Sequence, residues 1–294
     1  MGATTNPYAT ALDGLDIADP VAALFDFCRA REQVRVRREA GEDPPWTDDA
    51  TLRRGRFLNV FREDDRGSKA VMRFVEPVRG DLEALVHALF FARWCNSQPA
   101  LDLLSPELLE EPARLRETLT GMAGDSWCNK TAYPVGSVTW EGEVHDRMTT
   151  ATSLFREIRP FLVGALSEAS GSVVDATARV NAALQMDNDF PVFMAVIDLA
   201  WFRPDVIDPA SHVPTGIGAE PYMDRLQQHL GVSSHAEVCD RMIALQPEYW
   251  PEARRPFQPI DVEYLCCECR KYFSYANGTK QFEGKNLFTP RTAS

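Results

Sequence analysis

The chain has 294 residues, 45% of them hydrophobic and 25% charged, with a formal net charge of −12; it can build a large core and has no compositional mark of disorder. It has no apolar run long enough for a membrane span, no basic or apolar leader after Met1, and seven cysteines, an odd number that favours reduced thiols over a disulfide framework; the expected compartment is the cytoplasm. The acidity counts against nucleic acid, yet residues 29–79 hold 13 Lys/Arg against 10 Asp/Glu and residues 253–294 hold 7 against 4, so basic stretches that suit a DNA-facing surface stand against an acidic remainder.

Helical periodicity dominates. Residues 19–41, "DPVAALFDFCRAREQVRVRREAG", predict a helix that turns basic and ends at Gly41. "EDPPW" is a stiff break, after which Thr47 is placed as N-cap of a helix running from about Asp48 to Arg66. Residues 81–96, "DLEALVHALFFARWCN", predict an apolar central helix, and "SPELLEEPARLRETLTGM" one or two short amphipathic ones. Residues 125–145 lack helical period and contain Pro134, Gly136 and Gly142, which fits a loop or small hairpin. Helices resume with "TTATSLFREIRPFLVGALSEA", "SVVDATARVNAALQM" and residues 187–202, where Asp189 is the cap and Pro191 lies in the first turn. A long Pro/Gly loop, "RPDVIDPASHVPTGIGAEPY", precedes "MDRLQQHL", "SHAEVCDRMIALQ" and "IDVEYLCCECRKYFSYANG".

Several chemistries lack their motif. There is no G-x-x-x-x-G-K-[ST] phosphate loop, no G-x-G-x-x-G after a strand and no G-x-S-x-G elbow. Cys266 and Cys269 form one C-x-x-C without a second pair, so Cys266, Cys267 and Cys269 read as small core residues and no metal site is expected.

Four polar sets remain. On the expected helix, Asn59, Arg62 and Arg66 fall at i, i+3 and i+7, a stripe that suits phosphate oxygens; a salt-bridged surface helix is the competing reading. Arg93 and Asn96 close the apolar helix, where an arginine needs a partner or meets the helix dipole. Asp198 lies within "FMAVIDLAWF", as a general base or as a structural carboxylate gripping an arginine. Glu268 and Lys271, near Tyr264, Tyr272 and Tyr275 and the basic "GTKQFEGKN", fit DNA contact or a simple i,i+3 pair.

Together, "REQVRVRREAG", "PPWTDDATLRRGRFLNVFREDDR", "ARWCN", "DFPVFMAVIDL" and "DVEYLCCECRKY" resemble the helical domain of phage thymine-hypermodification proteins. That family includes the amino acid:DNA transferases, also described as α-glutamyl/putrescinyl-thymine pyrophosphorylases, and the helical domain associated with 5-hydroxymethyluracil DNA kinases. The resemblance spans about residues 29–275. It implies an all-α, helix-hairpin-helix DNA glycosylase-like fold, taken here as a single helical domain over residues 1–294 in one or two lobes. Its site positions are matched by Arg56, Asn59, Arg62, Asp65, Arg66, Arg93, Asn96, Asp198, Glu268, Lys271 and Tyr272. The turn before Asp198 departs from it, reading "DND" where a glycine-rich hairpin belongs, and Val196 stands where a polar residue is expected; both weaken any duplex grip by that hairpin.

The implied reaction occurs on double-stranded DNA in a phage-infected bacterial cell. A 5-hydroxymethyluracil DNA kinase supplies 5-pyrophosphoryloxymethyl-uracil, and an amine such as glycine, glutamate or putrescine displaces pyrophosphate from the C5-methylene. In that reading Arg62 and Arg66 stabilise the leaving group, helped by Arg93 or Lys271, Asp198 or Asp65 takes the amine proton, and Asn59 or Asn96 reads the flipped base. No cofactor is required; Mg²⁺ is the ion that pyrophosphate would bring. The rivals are a DNA glycosylase using Asp198 and a non-catalytic helical module that binds modified DNA or a DNA base kinase.

Overall fold

The computed structural model describes residues 6–129, 135–186, 188–284, 287 and 288. Pro134, Asp187 of the "DND" turn, and Lys285 and Asn286 of the basic tail lie outside them. The first part of the chain forms α1 (Pro20–Glu39), α2 (Ala50–Arg54), α3 (Arg66–Val75), α4 (Leu82–Cys95), α5 (Gln98–Leu101) and α6 (Pro112–Thr120). A hairpin, β1 (Val138–Trp140) and β2 (Glu143–His145), leads to α7 (Arg147–Thr149), α8 (Phe155–Glu157) and α9 (Arg159–Ser167). The chain continues through α10 (Val173–Leu184), α11 (Phe190–Phe202), α12 (Glu220–Leu230), α13 (His235–Tyr249) and α14 (Pro259–Ala276). Among the described residues the fold is all-α apart from that two-stranded sheet. No described helix is long and apolar enough to cross a membrane.

Two compact units divide the chain: residues 1–64 with 212–294, and residues 65–211. In the first, α1, α12, α13 and α14 close around Phe25, Cys28, Phe61, Met223, Met242, Leu265 and Cys269. Asp19 caps α1 by accepting from the amides of Val21 and Ala22, and Pro20 fills the first turn, where no amide donor is needed. Cys266 and Cys269 are buried in the core, and burial pushes the Cys269 thiol up to about 12. Among the described residues no group of three His, Cys, Asp or Glu is arranged to hold a metal ion.

The expected helix from Asp48 to Arg66 does not form, and the Asn59–Arg62–Arg66 stripe goes with it. α2 ends at Arg54, the chain runs extended from Gly55, and a single 3-10 turn covers Arg62–Asp64 before α3 starts. The physical reason is tertiary. The amide of Leu58 donates to Glu268 Oε2 at 2.9 Å, the hydroxyl of Tyr264 donates to the carbonyls of Asn59 (2.6 Å) and Val60, and Arg31 donates to the carbonyl of Phe57 at 3.1 Å. These bonds satisfy four backbone groups of the segment from outside it, in place of a helix's own bonds. The cap of α2 is also Asp49, accepting from the amide of Leu52 at 2.7 Å; Thr47 instead accepts from the amide of Asp49.

Glycines set the loop before α12. A Cβ at Gly218 would stand 2.7 Å from Cys267 Sγ, while Arg270 donates to the Gly218 carbonyl at 2.9 Å. Gly218→Ala is expected to cost about 1–3 kcal/mol by overpacking. Urea unfolding of Gly218→Ala with and without Cys267→Ala checks the cause, since trimming the thiol should recover most of the loss.

In the second unit α4 is the hub. Leu85 through Cys95 are all buried, the pattern of a helix surrounded on every side, and α4 packs most extensively on α11. Asp81 caps α4, and Asn96 ends it in the left-handed conformation at φ 38°, which asparagine tolerates. The segment expected to be a loop or small hairpin contains β1 and β2, joined through Glu141 and Gly142 at positive φ.

His87 of α4 is buried with its Nδ1 3.7 Å from Glu110, which Arg156 and Arg159 also engage. Burial pushes the imidazole down to about 4 against the pull of Glu110, with Arg159 adding to the burial effect. The unfolded chain therefore binds the extra proton between pH 6.5 and pH 4, and stability is lost as pH falls through that window. The loss should approach 2–3 kcal/mol, roughly the shift at 1.36 kcal/mol per unit. His87→Leu should flatten it, read as urea midpoints from pH 7.5 to pH 4.5.

Candidate functional site

The first unit carries Arg56, Asn59, Arg62, Glu268, Lys271 and Tyr272; the second carries Asp65, Arg66, Arg93, Asn96 and Asp198.

In the first unit the non-helical residues 55–61 form a strap held from several directions. Asn59 is buried, accepting from Arg31 Nη2 at 2.6 Å and donating to the carbonyl of Asp64 at 2.9 Å. Glu268 accepts from Lys271 Nζ at 3.1 Å as well as from the amide of Leu58, and Lys271 lies over the Phe57 ring. Tyr272 donates to Asp49 Oδ2 at 2.6 Å, so the carboxylate that caps α2 also ties it to α14. Glu268, Lys271 and Tyr272 thus position the strap.

Beyond the strap, Arg254 and Arg255 flank Phe61, their guanidinium carbons 4.4 and 4.5 Å from its ring centroid. Arg255 holds Glu63 in a two-pronged pair at 2.8 Å and also reaches Asp261, the buried acid of the capping box that starts α14. Arg35 pairs with Glu32, Glu39 and Asp64. Much of the local basic excess is thereby neutralised inside the unit, which as a whole holds 22 Asp/Glu against 18 Lys/Arg. Arg38, Arg53 and Arg56 are exposed, and their side chains form no hydrogen bond or ion pair with any described residue.

Arg62 is buried at the 3-10 turn, within electrostatic reach of Glu263 on α14. Glu263 is a buried carboxyl whose Oε1 accepts from the amide of Gly216 at 2.9 Å. Burial pushes it up to about 7, against the pull of the Gly216 bond and of Arg62. Glu263 stands out less in the sequence than Asp198 does, because "IDVEYLCC" also holds Asp261. The partners of the strap, Arg31, Arg35, Arg254 and Arg255, gave no local signal.

In the second unit, Arg93 and Asp198 join α4 to α11. Arg93 Nη2 donates to Asp198 Oδ1 at 2.7 Å, its Nε donates to Oδ2, and Nη2 approaches Ser68 Oγ at 3.4 Å. Both residues are 1% exposed, so each oxygen of Asp198 is engaged by a guanidinium and sealed from solvent. Asp65 stands at the N-cap of α3, and Arg66 is exposed, donating to Gln98 Oε1 at 2.9 Å. Asn96 closes α4 and faces Gly67, whose Cβ would lie 3.9 Å from its Oδ1.

The model of the 5-hmdU DNA kinase helical domain matches residues 19–281, from the cap of α1 past the end of α14. No curated protein and no solved structure matches. Because that match takes in most of the sequence, with the strap, α4, α11 and α14 all inside it, the chain belongs to the family of the 5-hmdU DNA kinase helical domain.

Proposed function

We propose that this protein is a DNA-base hypermodification transferase, in which an amine displaces pyrophosphate from 5-pyrophosphoryloxymethyl-uracil in double-stranded DNA. The observation that carries the reading is Arg62: a buried guanidinium on the 3-10 turn that follows a strap fixed to α14, within electrostatic reach of a buried carboxyl whose ionisation burial has shifted toward neutrality. Family membership supports chemistry on modified DNA, and the missing G-x-x-x-x-G-K-[ST] loop favours a transferase over a kinase.

In this reading Arg62 stabilises the negative charge that develops on departing pyrophosphate. Arg38, Arg53 and Arg56 meet the DNA backbone, where exposed cations position the duplex without reading its sequence. Asn59, Arg93, Asn96, Glu268, Lys271 and Tyr272 act through position, holding the strap and the ends of α4. Asp198, with both oxygens on Arg93, serves the same end, while Asp65 keeps a role beside Arg66. No cofactor is needed beyond any Mg²⁺ that arrives with pyrophosphate. A separate 5-hydroxymethyluracil DNA kinase makes the substrate, and the cytoplasm of a phage-infected bacterium is the setting.

The test gives the purified protein pyrophosphorylated 5-hydroxymethyluracil DNA with glycine, glutamate or putrescine, and weighs the nucleosides after digestion. A new amine-bearing nucleoside is expected. Unchanged substrate with every amine would sink the transferase and leave the second reading, a non-catalytic module serving a DNA base kinase, which the family's description as a kinase domain favours.

A further inference from the structure

Glu263 is 5% exposed on α14, and among the described residues no cation forms an ion pair with it, Arg62 acting only at longer range. The neighbouring acids of the same helix differ: Asp261 is paired with Arg255, and Glu268 with Lys271. Among the described residues, the side chain of Glu263 makes one hydrogen bond, Oε1 accepting from the amide of Gly216. Oε2 makes none with a described residue.

The cover over this carboxylate is thin backbone. A Cβ at Gly216 would stand 3.1 Å from Glu263 Oε1, and Gly218 lies against Cys267 in the same way. Between these two pinned glycines Ile217 is 61% exposed, so the loop lies flat on α14 and turns its side chain outward. A glutamine would accept from the Gly216 amide equally well and would avoid the cost of burying an ionisable group. The Gly216 bond by itself does not require an acid at this position. The groups around it are Arg62 on the 3-10 turn, Cys239 on α13, and Cys266 and Cys267 on its own helix. Burial keeps those thiols protonated, which leaves Arg62 as the charge among them.

We propose that Glu263 is the carboxylate that takes the proton of the incoming amine, an inference that rests on the transferase reading above. In the step the amine nitrogen forms a bond to the C5-methylene, and the carbon–oxygen bond to pyrophosphate breaks with its electron pair leaving on oxygen. The surplus N–H proton passes to Glu263 Oε2. Arg62 serves both ends of the reaction, favouring the ionised base before attack and meeting the anion that departs. Asp198 lacks this capacity because Arg93 holds both of its oxygens.

The experiment measures single-turnover amine transfer for wild type, Glu263→Gln and Glu263→Asp between pH 5.5 and pH 9. Rates are expressed per unprotonated amine, and DNA affinity and melting temperature are followed in parallel. Wild type should lose rate on the acid side of about pH 7, where Glu263 becomes protonated. Glu263→Gln should lower the rate about 100-fold and abolish the acid limb, with DNA affinity unchanged. Glu263→Asp, which keeps the acid but withdraws it, should retain the limb at reduced rate; this variant decides the matter if Glu263→Gln does not fold. Full rate and an intact acid limb in Glu263→Gln, or loss of the limb in Glu263→Asp, would overturn the assignment while leaving the transferase standing. Failure of wild type with every amine would remove the transferase and this inference together.

Discussion

Arg93→Ala is expected to destabilise the second unit by about 3–5 kcal/mol, the cost of leaving a buried carboxylate without its partner. Asp198 is 1% exposed on a helix whose residues from Pro191 to Ala200 are all buried, so neither water nor a neighbouring turn of α11 can replace the guanidinium. Asp198→Asn should cost less, since an amide oxygen still accepts from Arg93, although one prong of the pair must meet an NH₂ group. The double variant Arg93→Met/Asp198→Leu is the sharper test. Removing both charges removes both desolvation penalties, and its stability should return to within about 1–2 kcal/mol of wild type. Urea or thermal unfolding of the four proteins closes the cycle. If Arg93→Ala were as stable as wild type, the pair would not be the fastener between α4 and α11, and Asp198 would again be open to a catalytic role.

The second large effect concerns chemistry. Arg62→Ala should lower the single-turnover rate of amine transfer by about 10²–10³, the loss found when one preorganised donor to a developing anion is removed. Arg62→Lys should recover part of the rate, because it restores charge without the planar fork. Exposed Arg56 provides the contrast. Arg56→Ala should weaken DNA binding and reduce the salt slope by about 1, with the rate on bound DNA unchanged. An Arg62→Ala protein that loses DNA affinity but keeps its rate would place Arg62 with the backbone contacts and remove it from the leaving-group site.

Elements whose ends are decided by local chemistry were legible in the sequence. α1 starts where Asp19 and Pro20 stand, and α11 where Pro191 fills a first turn, although Asp189 at its N-cap position makes no side-chain cap bond. The apolar surroundings of Asp198 and Arg93 marked both as residues in need of partners, and the structure pairs them with one another. Residues 55–61 were misread as helix for an equally definite reason. Their local pattern is helical, but the groups that hold the backbone extended, Tyr264 and Glu268, lie some 200 positions away in sequence.

The sequence by itself determined that this is a helical protein with Cys266 and Cys269 in the core, because periodicity, caps and apolar content act over a few residues at a time; Cys267 is only partly buried. It also determined the family, through motifs carried by contiguous stretches. Only the tertiary structure decided which partner each buried polar residue meets. Asp198 and Glu263 are both buried carboxyls, and the partner of neither can be read from its own stretch of sequence. One meets a guanidinium on each oxygen and the other meets a glycine amide, because burial makes a charge depend on whatever partner the fold brings to it from elsewhere in the chain.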